Sequence, residues 1–394
     1  MSENSVVGKI LRSAYSKIFY ENWPFWLGGI LIGILSVLVF TWSRPWGVAG
    51  GLRNWADNLF YLIGLYSSKP KSPLLSSSSL LTLGLLIGAF MSSLFSKQFA
   101  FQKAPFIEMI KGMVGGILMG IGASMAGGCN VGGFFSATSA LSLSGLLMMV
   151  GLIVGANLGL RYLYWELEHI SSSGSQTVKS TSQGKNLRDI EPYLGLLVLI
   201  CIALWIYYYT TQGLTRLGGL LFFGVCFGVV IQRTRFCFVR CFREPFMTGE
   251  ATAPISMAIA VIISVIGFGI LKYTGLRPEY IYVVDAVWFG SLIGGLIFGI
   301  GMVIAGGCGS GCIWRCGEGQ SKLMVAVIFF AISLSLFEKF TDLHPTFKKF
   351  LGTKVYLPDY LGYFWSVLLV IFIMVMYMVW AKWNEETEKF VLEI

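Results

Sequence analysis

GGILMGIGASMAGGCNVG, residues 115–132, and GGLIFGIGMVIAGGCGSG, residues 294–311, are two copies of one segment. Aligned without gaps at an offset of 179, they agree at 10 of 18 positions, including Gly-Gly-Cys at 127–129 and at 306–308. Each copy is an apolar run of helix length that stops at a glycine pair, so its cysteine falls where a membrane helix breaks. Interrupted helices at matching positions of two halves mark a solute site near the bilayer midplane.

Outward from these copies, the whole chain reads as membrane protein. Hydrophobic residues make up 55% of it and charged residues 12%, against about 25% charged in a soluble domain. A transmembrane helix needs roughly 17–25 mostly apolar residues. By that measure ten segments qualify, near 26–41, 74–95, 106–126, 143–164, 193–210, 215–231, 253–274, 284–305, 321–339 and 361–382. No room is left for a soluble domain. Lys9, Arg12 and Lys17 precede the first apolar run much as in a signal peptide. The bulky Trp42–Trp46 stretch offers no small-residue cleavage pattern, so the first helix is expected to stay. The Ser/Thr/Gln/Lys-rich stretch 171–188 buries too little apolar surface to pack and reads as a mobile surface loop.

LGGILIG at 27–33 echoes LGGLLFFG at 217–224, so the repeat extends to whole halves, 1–209 and 210–394, with five helices each. An odd number of crossings makes the second half enter from the opposite side. The expected fold is therefore all-α, ten transmembrane helices in two inverted-topology repeats with broken helices at the centre. Loop charges favour both termini inside, although Arg44, Arg53, Lys69, Lys71, Lys348, Lys349 and Lys354 would then lie outside. The net charge of +9 fits positive-inside loops or a field that draws in an anion. Nucleic acid is excluded as a partner, since no basic tract lies outside the membrane-flanking loops.

Three cysteines stand where a polar atom is unusual: Cys129, Cys308, and Cys237 in QRTRFCFVRCFREPF at 232–246. A membrane cysteine is ordinarily a small apolar filler, which suffices for the mid-helix Cys201 and Cys226. Beside Cys129 and Cys308 the glycines remove side-chain cover and expose backbone N–H groups of the kind that receive anions. Such backbone survives at membrane depth only when buried in protein or lining a cavity. The glycines also admit a packing reading, because Gly116 with Gly120 and Gly295 with Gly299 are small-xxx-small pairs.

Arg233, Arg235, Arg240 and Arg243 flank Cys237, and Arg315 follows Cys308. With Glu244, Glu250 and Glu318 available, each arginine is either an ion-pair member at a helix end or part of an electropositive mouth. Cys308, Cys312 and Cys316 recur every four residues, as do Cys237 and Cys241. Soft thiolates could hold copper(I) or zinc, but the spacing is neither a zinc ribbon nor an iron–sulfur run. An apolar pocket favours the neutral thiol, a weak S–H donor. No metal or cofactor is assigned. His169 and His344 lie by loops, and no Cys/His dyad, nucleotide loop or acid pair supports an enzyme.

The paired AGGC motifs, QRTRFCFVRCFREPFMTG and GGCGSGCIWRCGEGQ resemble the YeeE/YedE family of bacterial inner-membrane proteins over nearly the whole chain. The resemblance implies a multi-pass transporter, with thiosulfate as the leading substrate. It also implies a path lined by Cys129, Cys237 and Cys308. Asn130, Cys241, Cys312, Cys316, Arg235, Arg243, Arg315 and Glu318 are accessory candidates. The half with the Phe-Cys segment comes second here, as in the YedE branch, and Cys241, Cys312 and Cys316 are additional thiols. YedE-like members are linked to sulfur or selenium handling and to a small TusA-like sulfur carrier. A selenium or other sulfur compound is thus the alternative cargo. A membrane thiol oxidoreductase, with a Cys312–Cys316 disulfide, or a soft-metal transporter are the alternatives from other classes. The expected partners are a small sulfur anion and membrane lipid.

Overall fold

The computed structural model describes residues 13, 15–169 and 185–392. Among these, ten helices or helix pairs are long and apolar enough to cross a membrane. The chain is an all-α, multi-pass membrane protein. In order, the long elements are α1 (Phe25–Trp42), α2 (Ala49–Leu62), α3 (Ser77–Phe95), α4 (Phe106–Met125), α5 (Leu143–His169) and α6 (Lys185–Thr211). They continue as α7 (Thr215–Thr234), α8 (Phe238–Met247), α9 (Thr252–Tyr273), α10 (Phe289–Ala305), α11 (Gly309–Gly317), α12 (Ser321–Leu343), α13 (Pro345–Leu351) and α14 (Leu357–Thr387). A π-helical turn, Asn130–Ser136, follows α4. The strands Asp285–Val287 and Thr353–Lys354 form one small antiparallel pair.

One boundary is corrected, and two helices add to the sequence reading. Helix α6 begins at Lys185, so the expected loop ends earlier than residue 188. Residues 170–184, with Lys9, Arg12 and Lys179, lie outside the described residues. Helix α2 was not among the ten segments, because Arg53, Asn54 and Asp57 make it too polar for a span. Helix α14 is longer than its apolar centre and kinks at Gly362, whose φ is +75°.

The two Gly-Gly-Cys segments supply α4 and α10, which pack directly on each other. A Cβ on Gly115 would stand 2.7 Å from the Gly301 carbonyl oxygen, and one on Gly301 2.8 Å from that of Gly115. Gly122 and Gly294 make the same exchange at 2.5 and 2.7 Å. Because 115 meets 301 while 122 meets 294, the two helices run antiparallel. Any side chain at these four positions would drive the backbones apart, so glycine is required for the crossing. The outer neighbours exchange in the same way: α4 packs on α12 and α10 on α5, while α3 packs on α7 and α9 on α1. Gly116 and Gly120 face Ala326 and Leu334 of α12, and Gly295 and Gly299 face Met148 and Gly155 of α5. The packing role read for these glycines is therefore present.

Helix α1 fixes the two ends of the molecule. Phe25 at its start stacks on Phe236, with ring centroids 5.0 Å apart. Trp42 at its close donates its indole N–H to the Arg216 carbonyl at 3.1 Å. Eighteen residues at 1.5 Å each separate these ends by roughly 27 Å. Arg235 and Cys237 belong to the first end and Arg44 to the second. Large apolar side chains such as Leu197, Leu204, Phe364 and Phe372 point outward, as lipid-facing surfaces require.

Candidate functional site

The same local device places all three candidate cysteines. A residue in the left-handed region ends one helix, and the cysteine two positions later adopts extended backbone as the N-cap of the next helix. The left-handed residues are Gly127 (φ +71°), Arg235 (φ +58°) and Gly306 (φ +81°). The caps are Cys129, Cys237 and Cys308. Glycine takes that conformation freely, whereas for Arg235 it costs on the order of 1–2 kcal/mol.

The surroundings of Arg235 hold it there. Its guanidinium donates to both oxygens of Glu318, at 2.7 and 2.9 Å, and to Gln98 Oε1 at 2.7 Å. Gln232 Nε2 donates to Glu318 at 2.9 Å and to Gln98 at 3.0 Å, and Ser92 Oγ donates to Gln232 Oε1 at 2.7 Å. Arg315 Nη1 donates to the Gly306 carbonyl at 2.8 Å, tying α11 back to the break in front of it. Both guanidinium groups lie over the Trp314 ring, 5.3 and 5.1 Å from its centroid.

Three elements thus deliver three thiols to the first turn of α11. Cys237 Sγ and Cys308 Sγ are 3.9 Å apart. Cys308 Sγ accepts the Gly311 N–H at 3.2 Å and lies 3.6 Å from Ser310 Oγ. A Cβ on Gly311 would stand 2.9 Å from Cys237 Sγ and 3.0 Å from Cys308 Sγ, and one on Gly309 3.3 Å from Cys129 Sγ. The glycines leave the thiols room to converge. All three cysteines are at most 1% exposed, and every cysteine among the described residues is free.

Asn130, adjacent to Cys129, is completely buried, and neither its amide nitrogen nor its oxygen has a partner among the described residues. Cys241 donates its S–H to the Cys237 carbonyl at 3.4 Å, one turn along α8. Cys312 faces Gly307, and Cys316 is half-buried. Cys201 and Cys226 lie on α6 and α7, away from the breaks.

The arginines divide. Arg235 pairs with Glu318 and Arg240 with Glu244, so both are ion-pair members. Arg233 is buried and donates to the Glu21 carbonyl at 2.6 Å, and the Arg243 Nε is buried without a partner among the described residues. No group of three or more His, Cys, Asp or Glu side chains among the described residues is arranged to hold a metal ion.

Sequence reading missed the opposite end. A cavity of about 400 Å³ there is lined by Arg44, Gly47, Ser124, Gly127, Gly128 and Tyr282, among others. It reaches the backbone of the Cys129 break. Lys272, 1% exposed at the end of α9, donates to the Ala140 carbonyl at 2.7 Å. It closes the turn that follows the π-helical segment.

Ten helices or helix pairs long and apolar enough to cross a membrane surround a buried, interrupted centre, and with the family match that follows they define a membrane protein of the transporter class. The chain belongs to the sulphur-transport family, whose sequence profile matches residues 5–158 and 233–392. It is similar to the probable transporter YedE of Escherichia coli, 29% identical over 311 residues, which span 74% of this chain and 75% of that protein. The probable transporter YedE of Salmonella typhimurium is 28% identical over 327 residues, 77% of this chain and 79% of that one. The thiosulfate transporter TsuA of Spirochaeta thermophila is 35% identical over a shorter stretch of 112 residues, 28% of this chain and 33% of that protein. The chain is a transporter rather than an enzyme, and a multi-pass membrane protein.

Proposed function

We propose that this sulfur transporter takes up a small sulfur-containing anion, thiosulfate in the first place, along a path lined by Cys129, Cys308 and Cys237. The observation that carries the reading is the meeting of three buried thiols around Gly309 and Gly311, each at the start of a short helix behind a left-handed break. The similarity to TsuA favours thiosulfate within the sulfur class.

The two halves are read as inverted repeats. The reciprocal contacts of Gly115 with Gly301 and Gly122 with Gly294, and the exchanged packing of α4 on α12 and α10 on α5, support this. The Cys129 break then approaches the centre from one face and the Cys308 break from the other.

The parts suit an anion with a terminal sulfur. The thiols meet its sulfur in succession, and the helix starts present backbone N–H groups. Each contact is weak, which conduction requires, because a site that held the anion tightly would not release it. The unpartnered amide of Asn130 supplies one further donor beside Cys129. Arg235, Glu318 and Arg315 act by holding the breaks in shape. No covalent step is needed.

The test is uptake of labelled thiosulfate in cells that lack other importers. Cys129→Ala, Cys237→Ala and Cys308→Ala should each reduce it to background at unchanged membrane abundance. Normal uptake in all three variants would sink the thiol path.

A further inference from the structure

The cavity at the Arg44 end has a charge balance that the thiol path does not explain. It contains three cations, but two are neutralised locally. Arg53 pairs with Glu338, lies 3.4 Å from Asp57 and 3.9 Å from Asp342, and Lys354 lies 3.5 Å from Asp285. Arg44 has no carboxylate partner among the described residues. It donates to Ser78 Oγ at 2.5 Å, and its Cζ lies 6.0 Å from the centroid of the Tyr282 ring. A half-buried guanidinium in this position is uncompensated positive charge facing the cavity.

Two hydroxyl groups face the same space. Ser124 Oγ is buried, lines the cavity and has no hydrogen-bond partner among the described residues. Tyr282 lines the cavity beside the backbone of the Cys129 break. Its hydroxyl rests against two glycines, where a Cβ on Gly47 would stand 2.7 Å from it and one on Gly132 3.0 Å. The backbone of Tyr282 has φ +66°, strained for a bulky side chain and tolerated when the surroundings hold it. Burial raises its phenol above the usual range, with Arg44 acting in the opposite sense, so the hydroxyl remains a donor. A volume of about 400 Å³ accommodates a small anion with several waters, each taking about 30 Å³.

We propose that this cavity is an oxyanion-binding site, in which Arg44 and the hydroxyls of Tyr282 and Ser124 hold a tetrahedral sulfur oxyanion before it reaches Cys129. Guanidinium and hydroxyl donors match the oxygens of such an anion, while the thiols beyond match its sulfur. The proposal rests on the reading of the chain as a carrier of a sulfur anion, but not on the thiols themselves.

Isothermal titration of the purified full chain with thiosulfate, and separately with sulfate, tests it. Both anions should bind the wild type. Arg44→Gln should weaken both by about tenfold or more, the scale of one lost charge-assisted hydrogen bond. Arg44→Lys should recover part of the loss, and Tyr282→Phe should weaken binding several-fold. The triple variant Cys129→Ala, Cys237→Ala, Cys308→Ala should still bind at this cavity. Retained binding with retained uptake in that variant would reject the thiol path and leave the oxyanion site standing. The oxyanion site is overturned if the wild type binds neither anion. It is equally overturned if Arg44→Gln and Tyr282→Phe, with unchanged thermal midpoints, bind as tightly as wild type.

Discussion

The two ends of the molecule are built on similar backbone but furnished differently. Aligned on Leu-Gly-Gly at 27–29 and 217–219, Cys237 corresponds to Gly47 and Arg235 to Pro45. Where one end has a thiol 3.9 Å from Cys308, the other has a glycine against which the Tyr282 hydroxyl packs. The break at Cys308 leads into a regular α-helix, while that at Cys129 leads into a π-helical turn. One end therefore concentrates sulfur and paired charge, and the other offers hydroxyls and an unpaired arginine. Backbone similarity between halves fixes where a solute can pass; the side chains decide what it meets first.

The largest expected effect comes from the glycine that separates two thiols. Gly311→Val should abolish thiosulfate uptake, because its Cβ would meet both Cys237 Sγ and Cys308 Sγ inside 3.1 Å. At the matching position of the other copy, Gly132→Ala should reduce uptake only a few-fold, since the atom in the way is the tip of Tyr282. Equal losses in initial-rate assays of the two variants would break the comparison.

Asn130→Leu should sharpen it. A buried amide without partners costs about 1–3 kcal/mol, so leucine should raise the thermal midpoint while lowering uptake about tenfold, the scale of one lost donor contact. A variant both destabilised and fully active would remove Asn130 from the path. Gly309, at the matching position of the other copy, has no side chain to supply such a donor.

The smallest effect concerns the ion pairs. Glu318→Gln should lower stability by about 1–3 kcal/mol, because it leaves the strained Arg235 with weaker acceptors in a mostly buried network. Arg53→Gln, at the more exposed Arg44 end, should cost less than about 1 kcal/mol. Denaturation of the two variants in the same detergent compares them directly.

Much of the fold was legible because membrane spans announce themselves by length and apolarity, and the Gly-Gly-Cys copies announced the breaks. Helix α2 escaped because a helix carrying Arg53, Asn54 and Asp57 does not look like a span, although it lines the Arg44-end cavity. The three central cysteines were visible from their neighbours. The fate of the arginines was not, since Arg235 finds Glu318 at a separation of 83 residues and only folding brings them together. Tyr282 and Ser124 gave no signal at all: a loop tyrosine and a helix serine are ordinary residues until a cavity forms around them.

The antiparallel crossing of α4 and α10 carries a consequence for motion. Four glycines let main chain touch main chain, with no flexible side-chain layer between the two helices to act as a lubricant. Leu118 and Phe298 already flank the seam beside Gly301 and Gly122, so sliding either helix by one turn would press them onto the opposing main chain, a steric barrier rather than a soft displacement. The spine is therefore expected to stay rigid while cargo moves, with passage governed by small rotations of side chains at its two tips. A chemical tether between these helices should then leave the transport rate unaltered.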